Sequence, residues 1–143
     1  MRAPIVPLLL LVLACPADTA RLDADQEARL GAQGIVLRAD NLVFRHSQDV
    51  GRRDARHRDR RASIVVTRQS VLIHERGDVD FLIEPTSRRW VEVHRDGDRV
   101  RINAGTGGNT EVWSFVPPDD AGPWVRAIRD VIRASASTAN RDP

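Results

Sequence analysis

The densest chemistry in this chain lies between residues 52 and 61. Arg52-Arg53-Asp54-Ala55-Arg56-His57-Arg58-Asp59-Arg60-Arg61 sets six arginines against two aspartates. Guanidinium groups grip phosphate and carboxylate in bidentate fashion, and alternate residues of a strand share a face. Arg58 and Arg60 are therefore placed to converge on one anion. The plain expectation for so charged a run is a solvated loop, its field partly offset by Asp54 and Asp59. Anion binding is the functional reading set against it.

Other reactive side chains are more scattered. His46, His57, His74 and His94 have no close-spaced partners of the kind that hold a metal. Ser63 and Ser70 lie near His74 and Asp80 in sequence, but no strand-turn-helix elbow surrounds either serine. Gly105-Thr106-Gly107-Gly108 separates two strand-like segments, which makes it a hairpin turn before it makes it a phosphate nest. The expectation is a chain with no catalytic residues, no metal and no cofactor.

One cysteine is present, Cys15, and it ends an apolar run. Arg2 precedes that run, which is shorter than the ~20 residues a membrane span needs. A charged start, a short apolar core and a small residue before a break make an export signal. Val12-Leu13-Ala14-Cys15 resembles a bacterial lipobox, where cleavage before the cysteine leaves it as the lipid-modified first residue. That resemblance implies a signal peptide over 1–14, lipidation of Cys15 and a chain anchored to a bacterial membrane on its periplasmic side. The alternative is an ordinary secretory signal releasing a soluble periplasmic or secreted protein. A lone exported thiol has no disulfide partner, and lipidation gives it a use.

Residues 15–33 read as a polar, alanine-rich tether with one short helix over Ala24 to Leu30. What remains is enough chain for one domain. Every basic residue is arginine, and the formal net charge of the whole chain is only +2. That balance, with the exported address, excludes a nucleic-acid-binding role.

From Gly34 the pattern is that of strands. Ile35 to Ala39 and Leu42 to Arg45 read as one long strand with a bulge at Asp40-Asn41. A polar loop over Ser47 to Arg61 follows, then strands over Ser63–Arg68, Val71–Arg76, Val79–Ile83, Arg89–Arg95, Arg99–Asn103 and Glu111–Val116. The fourth is expected to bury its odd-numbered side: Val79, Phe81 and Ile83. Asp96-Gly97 is the clearest hairpin signal. Pro117-Pro118 ends the ladder. Trp124, Ile128, Val131 and Ser135 then mark one stripe of an amphipathic helix capped by Asp119 or Asp120, fraying from Ala134. Trp90 falls on the face opposite Val91 and Val93, so it points outward if those valines are core, and it is the candidate partner contact.

Seven strands in hairpin succession and a closing helix with an early tryptophan resemble the pleckstrin-homology-like fold, most closely the bacterial PH-like and GRAM-related domains. Ile64-Val65-Val66-Thr67-Arg68-Gln69-Ser70-Val71-Leu72-Ile73-His74 looks like their strand-turn-strand. The resemblance covers roughly 34–135, with 136–143 left as a disordered tail. It implies a mainly β, barrel-like fold: seven antiparallel strands in two near-orthogonal sheets, capped by the C-terminal helix. In lipid-binding members the loop between the first two strands is basic, and Arg45, Arg58 and Arg60 are similar to their basic motif. The resemblance thereby extends headgroup binding to Arg45, Arg52, Arg53, Arg56, Arg58, Arg60 and Arg61.

The functional expectation is a non-enzymatic envelope lipoprotein. Its domain binds either anionic lipid headgroups or a segment of an envelope protein, the latter by β-augmentation beside the fifth strand and the helix. The alternatives are a structural accessory subunit of an envelope complex, or an enzyme without a recognisable motif.

Overall fold

The structure, a computed structural model, describes residues 22–49, 56–75, 78–85, 87 and 89–139. The expected signal peptide and Cys15 lie outside the described residues, as do Arg52 and Arg53 and the side chain of Arg56.

Helix α1 (Ala24–Gln33) opens on a capping box: Asp23 accepts from the Gln26 backbone at 2.7 Å, and Gln26 accepts from the Asp23 backbone at 3.2 Å. It closes on Gly34, whose φ of 75° suits a residue without Cβ. Seven strands follow: β1 (Ile35–Asp49), β2 (Arg56–Thr67), β3 (Val71–Glu75), β4 (Asp78–Ile83), β5 (Trp90–Asp96), β6 (Arg99–Thr106) and β7 (Asn109–Phe115). Helix α2 (Ala121–Ala139) ends the described chain.

All neighbours pair antiparallel, in the order β4-β3-β2-β1-β7-β6-β5. Hydrogen bonding thus joins the seven strands into one sheet where two were expected. The reason is β1, which pairs with β2 along most of its length and with β7 through Phe44 to Asp49. The bulge falls where the sequence placed it: pairing shifts between Ala39 and Leu42, and Asn41 adopts φ 56°. Helix α2 lies against β5 and also touches β4, at the opposite edge of the sheet. One helix reaches both edges because the sheet curls into a half-barrel.

Inside that curl sits the main core. Phe44, Ile64, Ile73, Phe81, Ile102, Trp113 and Phe115 are buried there with Trp124, Ile128 and Val131 of α2. The Trp124 ring meets Phe115 edge-on at 5.6 Å, and its indole N–H donates to Asp119 at 3.1 Å. Asp120 caps the helix, accepting from the Gly122 backbone at 3.0 Å.

Several segments differ from the sequence expectation. The loop between β1 and β2 is shorter, since β1 runs on to Asp49 and β2 begins at Arg56. Residues 22–33 are not a free tether. Leu22 and Leu30 pack on Val65, Leu72 and Leu82, on the face of the sheet away from the main core. This explains the unbroken apolar runs Ile64-Val65-Val66 and Val71-Leu72-Ile73, because those strands are covered on both sides. Helix α2 continues past Ala134 to Ala139, into the segment read as a tail. In β4, Phe81 and Ile83 are buried but Val79 is 44% exposed. Ile73 pairs with Phe81 and His74 with Val79, so Asp80 is an extra bulged residue that reverses the strand's phase.

Candidate binding surfaces

The inner face of the half-barrel changes from apolar to charged along β2. Ala62, Ile64 and Val66 are core, and Arg60 is the next inward residue. Arg60 Nη2 lies 2.7 Å from Glu75 and 3.2 Å from Asp80, the residue the β4 bulge turns inward. Burial holds the Asp80 carboxyl above the usual carboxylate range, although Arg60 opposes the shift. Nearby, His46 stacks on Trp113 with ring centroids 3.9 Å apart. Burial lowers the pKa of His46, and the charge of Glu111 only partly offsets it. Glu111 in turn lies 3.6 Å from Arg89, beside a small cleft that also borders Gln48 and Asn109. A polar layer therefore covers the Trp113 end of the core.

The arginines singled out from sequence do not gather. Arg60 is engaged by two carboxylates. Arg58 shares its face, opposite His46 in the ladder, and is exposed. Arg45 and Arg61 point to the outer face, where Arg45 meets Asp59 at 3.4 Å and Arg61 reaches Asn41 at 3.5 Å. Arg52 and Arg53 and the Arg56 side chain are outside the described residues. Period two separates Arg60 from Arg61 whatever the loop does.

On the outer face a different group assembles. Arg45, Ser114 and Arg101 are successive partners across β1, β7 and β6. Arg99 lies two residues before Arg101, on the same face. With Ser47, Val112 and Asp96 they line a shallow cleft of about 280 Å³. Arg99 and Arg101 escaped the sequence reading, in which they were only alternate residues of a hairpin strand. Their signal is the pair Arg99-Val100-Arg101 with its buried valine.

Strands β4 and β5 are the two edges of the sheet. Trp90 opens β5 facing outward and is 49% exposed, as its opposition to Val91 and Val93 implied. Its indole lies over Gly105, where a Cβ would come within 2.6 Å of the ring. Arg129 of α2 donates to the Val93 carbonyl at 3.2 Å. That contact fixes the direction of the edge: the Val93 backbone groups point away from β6, and those of Val91 and Arg95 point the same way. Arg95 also ties this edge to the start of α2, meeting Asp120 at 3.0 Å.

Ser63, Ser70 and His74 belong to the β2–β3 hairpin, where Ser63 and His74 are cross-strand partners. Ser63 Oγ accepts from the Asn41 backbone at 3.3 Å, at the β1 bulge. Ser70 Oγ donates to Gln33 at 2.6 Å and lies 3.0 Å from Thr67 Oγ1, pinning the turn between β2 and β3 to the end of α1. His74 is fully buried, and its ring nitrogens have no hydrogen-bond partner among the described residues. Burial lowers its pKa. Among the described residues no three His, Cys, Asp or Glu side chains are placed to hold a metal ion, and no helix is long and apolar enough to cross a membrane. Compared with known proteins, the chain matches no family model and no curated sequence.

Proposed function

We propose that the chain is a non-enzymatic envelope lipoprotein whose PH-like domain binds an extended segment of a partner protein along the β5 edge. The PH-like reading is supported by the strand order, with β1 shared between a β1–β4 half and a β5–β7 half, and by a closing helix led by a buried tryptophan. Division of the curled sheet into two near-orthogonal layers at the bent β1 belongs to the same reading. Anchoring through Cys15 rests on the lipobox resemblance.

The observation that carries the binding role is the open edge itself. Within the described residues β5 pairs only with β6, and its outward-directed backbone groups lie beside α2. An open edge is a template for another strand. Trp90, half exposed at the start of that edge, supplies apolar area for a partner side chain. Arg129, already bonded to the Val93 carbonyl, is the local competitor that an incoming strand displaces.

Val91→Pro tests this. Proline is tolerated on a sheet edge; Val91 is only partly buried on the core, and circular dichroism checks that the fold persists while one docking donor disappears. Recovery of a specific envelope partner by the native protein, lost in Val91→Pro, supports the proposal. Equal recovery by both proteins overturns it.

A further inference from the structure

The outer-face arginines carry an inference separate from the β5 edge. We propose that Arg45, Arg99 and Arg101 form a binding site for the phosphodiester headgroups of an anionic membrane surface. The arrangement follows from register. Arg45 and Arg101 flank Ser114 as its two cross-strand neighbours, one on β1 and the other on β6. Neighbouring strands lie about 4.8 Å apart, so the two guanidinium stems rise roughly 10 Å from one another. Long side chains at that spacing close over a single phosphate, with the Ser114 hydroxyl beneath it as a donor. Arg99, one step along β6, supplies the third corner.

These arginines keep donors to spare. Arg101 gives its Nε to Asn103 at 3.2 Å, leaving both terminal nitrogens without a partner among the described residues. Arg99 has no ion pair among the described residues. Arg45 meets Asp59 at 3.4 Å, but both side chains are more than half exposed, and a pair of that kind is worth little. Asp96, the strand partner of Arg99, is the other acid at the rim. Val43 and Val116, 50% and 40% exposed, lie beside Arg45 and Arg99 and offer apolar contact next to the charge.

Exposed Val43 and Val116 beside the charge favour a membrane as the source of the anion, because a soluble phosphate gains nothing from apolar contact. This surface is distinct from residues 52–61 and uses none of their arginines; of the headgroup set read from the sequence it shares only Arg45.

The experiment uses the mature chain from position 15 carrying Cys15→Ser, so that neither the apolar segment 1–14 nor an acyl chain contributes. It measures sedimentation with vesicles of phosphatidylglycerol and phosphatidylcholine, and in parallel soluble glycerol phosphate by titration. Each basic residue near an anionic surface contributes about fivefold to binding, so Arg99→Ala with Arg101→Ala should weaken vesicle binding about thirtyfold. Raising salt should weaken it further, and Arg101→Lys should retain most of it. Circular dichroism of the double variant should be unchanged, since both side chains are on the surface. Vesicle binding that survives the double substitution overturns the proposal. So does binding of glycerol phosphate without binding of vesicles, which would make the ligand a soluble anion. The β5-edge reading is untouched by either result, because Val91→Pro leaves these arginines in place.

Discussion

Arg60 and Arg61, adjacent in sequence, lie on opposite faces of the sheet: Arg60 turns inward to Glu75 at 2.7 Å, and Arg61 outward toward Asn41. That divergence decides what the basic segment does. Its last inward arginine joins the polar layer beneath Trp113, and the outward one joins the solvent-facing side.

Arg60→Ala should therefore act on stability. It leaves Glu75 and Asp80 as neighbouring carboxylates without their cation. With all three side chains partly exposed, the expected loss is about 1–2 kcal/mol. Urea denaturation measures it. Arg58→Ala, an exposed site on the same strand face, is the control and should change stability by less than ~0.5 kcal/mol.

Trp124→Ala should cost about 3–5 kcal/mol. The ring fills the junction between α2 and Phe115, and its N–H bonds Asp119. The same variant should lose near-ultraviolet dichroism from the buried aromatic cluster. A variant as stable as the parent would mean that α2 does not close the sheet.

Stability should fall between neutral and mildly acidic pH. Burial lowers the pKa of both His46 and His74, so below about 6.5 the unfolded chain takes up protons that the folded chain resists. The stability present above that pH is lost as pH falls toward the lowered values. Asp80 has the opposite sign, its raised pKa making the fold less stable as pH rises above the ordinary carboxylate value. Its window opens at the ordinary carboxylate value and that of the two histidines at about 6.5, so the histidines set the slope at the neutral end. His74→Leu removes a buried group that has no hydrogen-bond partner among the described residues, and it should reduce the dependence of Tm on pH, leaving the part due to His46, without lowering Tm at neutrality.

Leu30→Asp should release α1 from the sheet. The helix is held by Leu22 and Leu30 on Val65, Leu72 and Leu82, and an acid at that seam is buried without a partner. Limited proteolysis should then cut within 24–33 while the β-sheet core stays protected. Asp23→Ala, which removes only the cap, should cost about 1 kcal/mol and leave the helix docked.

Much of this architecture was legible in the chain because local chemistry and long-range packing agree. The Asp40-Asn41 bulge, the β5–β6 hairpin, whose turn falls on Gly97-Asp98 one residue past the expected pair with φ 63° at Gly97, and the Trp124-Ile128-Val131 stripe all follow from backbone preference and periodicity. The candidate surfaces were less legible because they depend on register. Nothing local marks Asp80 as the bulged residue of β4; its inward turn comes from pairing between β3 and β4. Ser114 gains Arg45 and Arg101 as neighbours only because β7 inserts between β1 and β6. The docking of α1 rests on two leucines, too few to distinguish a packed helix from a tether by pattern alone.

The β5 edge is the centre of the account, and one measurement reaches it directly. A photo-crosslinking residue placed at exposed Glu92, on the outer face of β5, should trap discrete partner adducts in the native envelope. Those adducts should vanish when Val91→Pro is added. If the same adducts persist with proline in the edge, the partner does not pair with β5, and the proposed mode of binding is wrong.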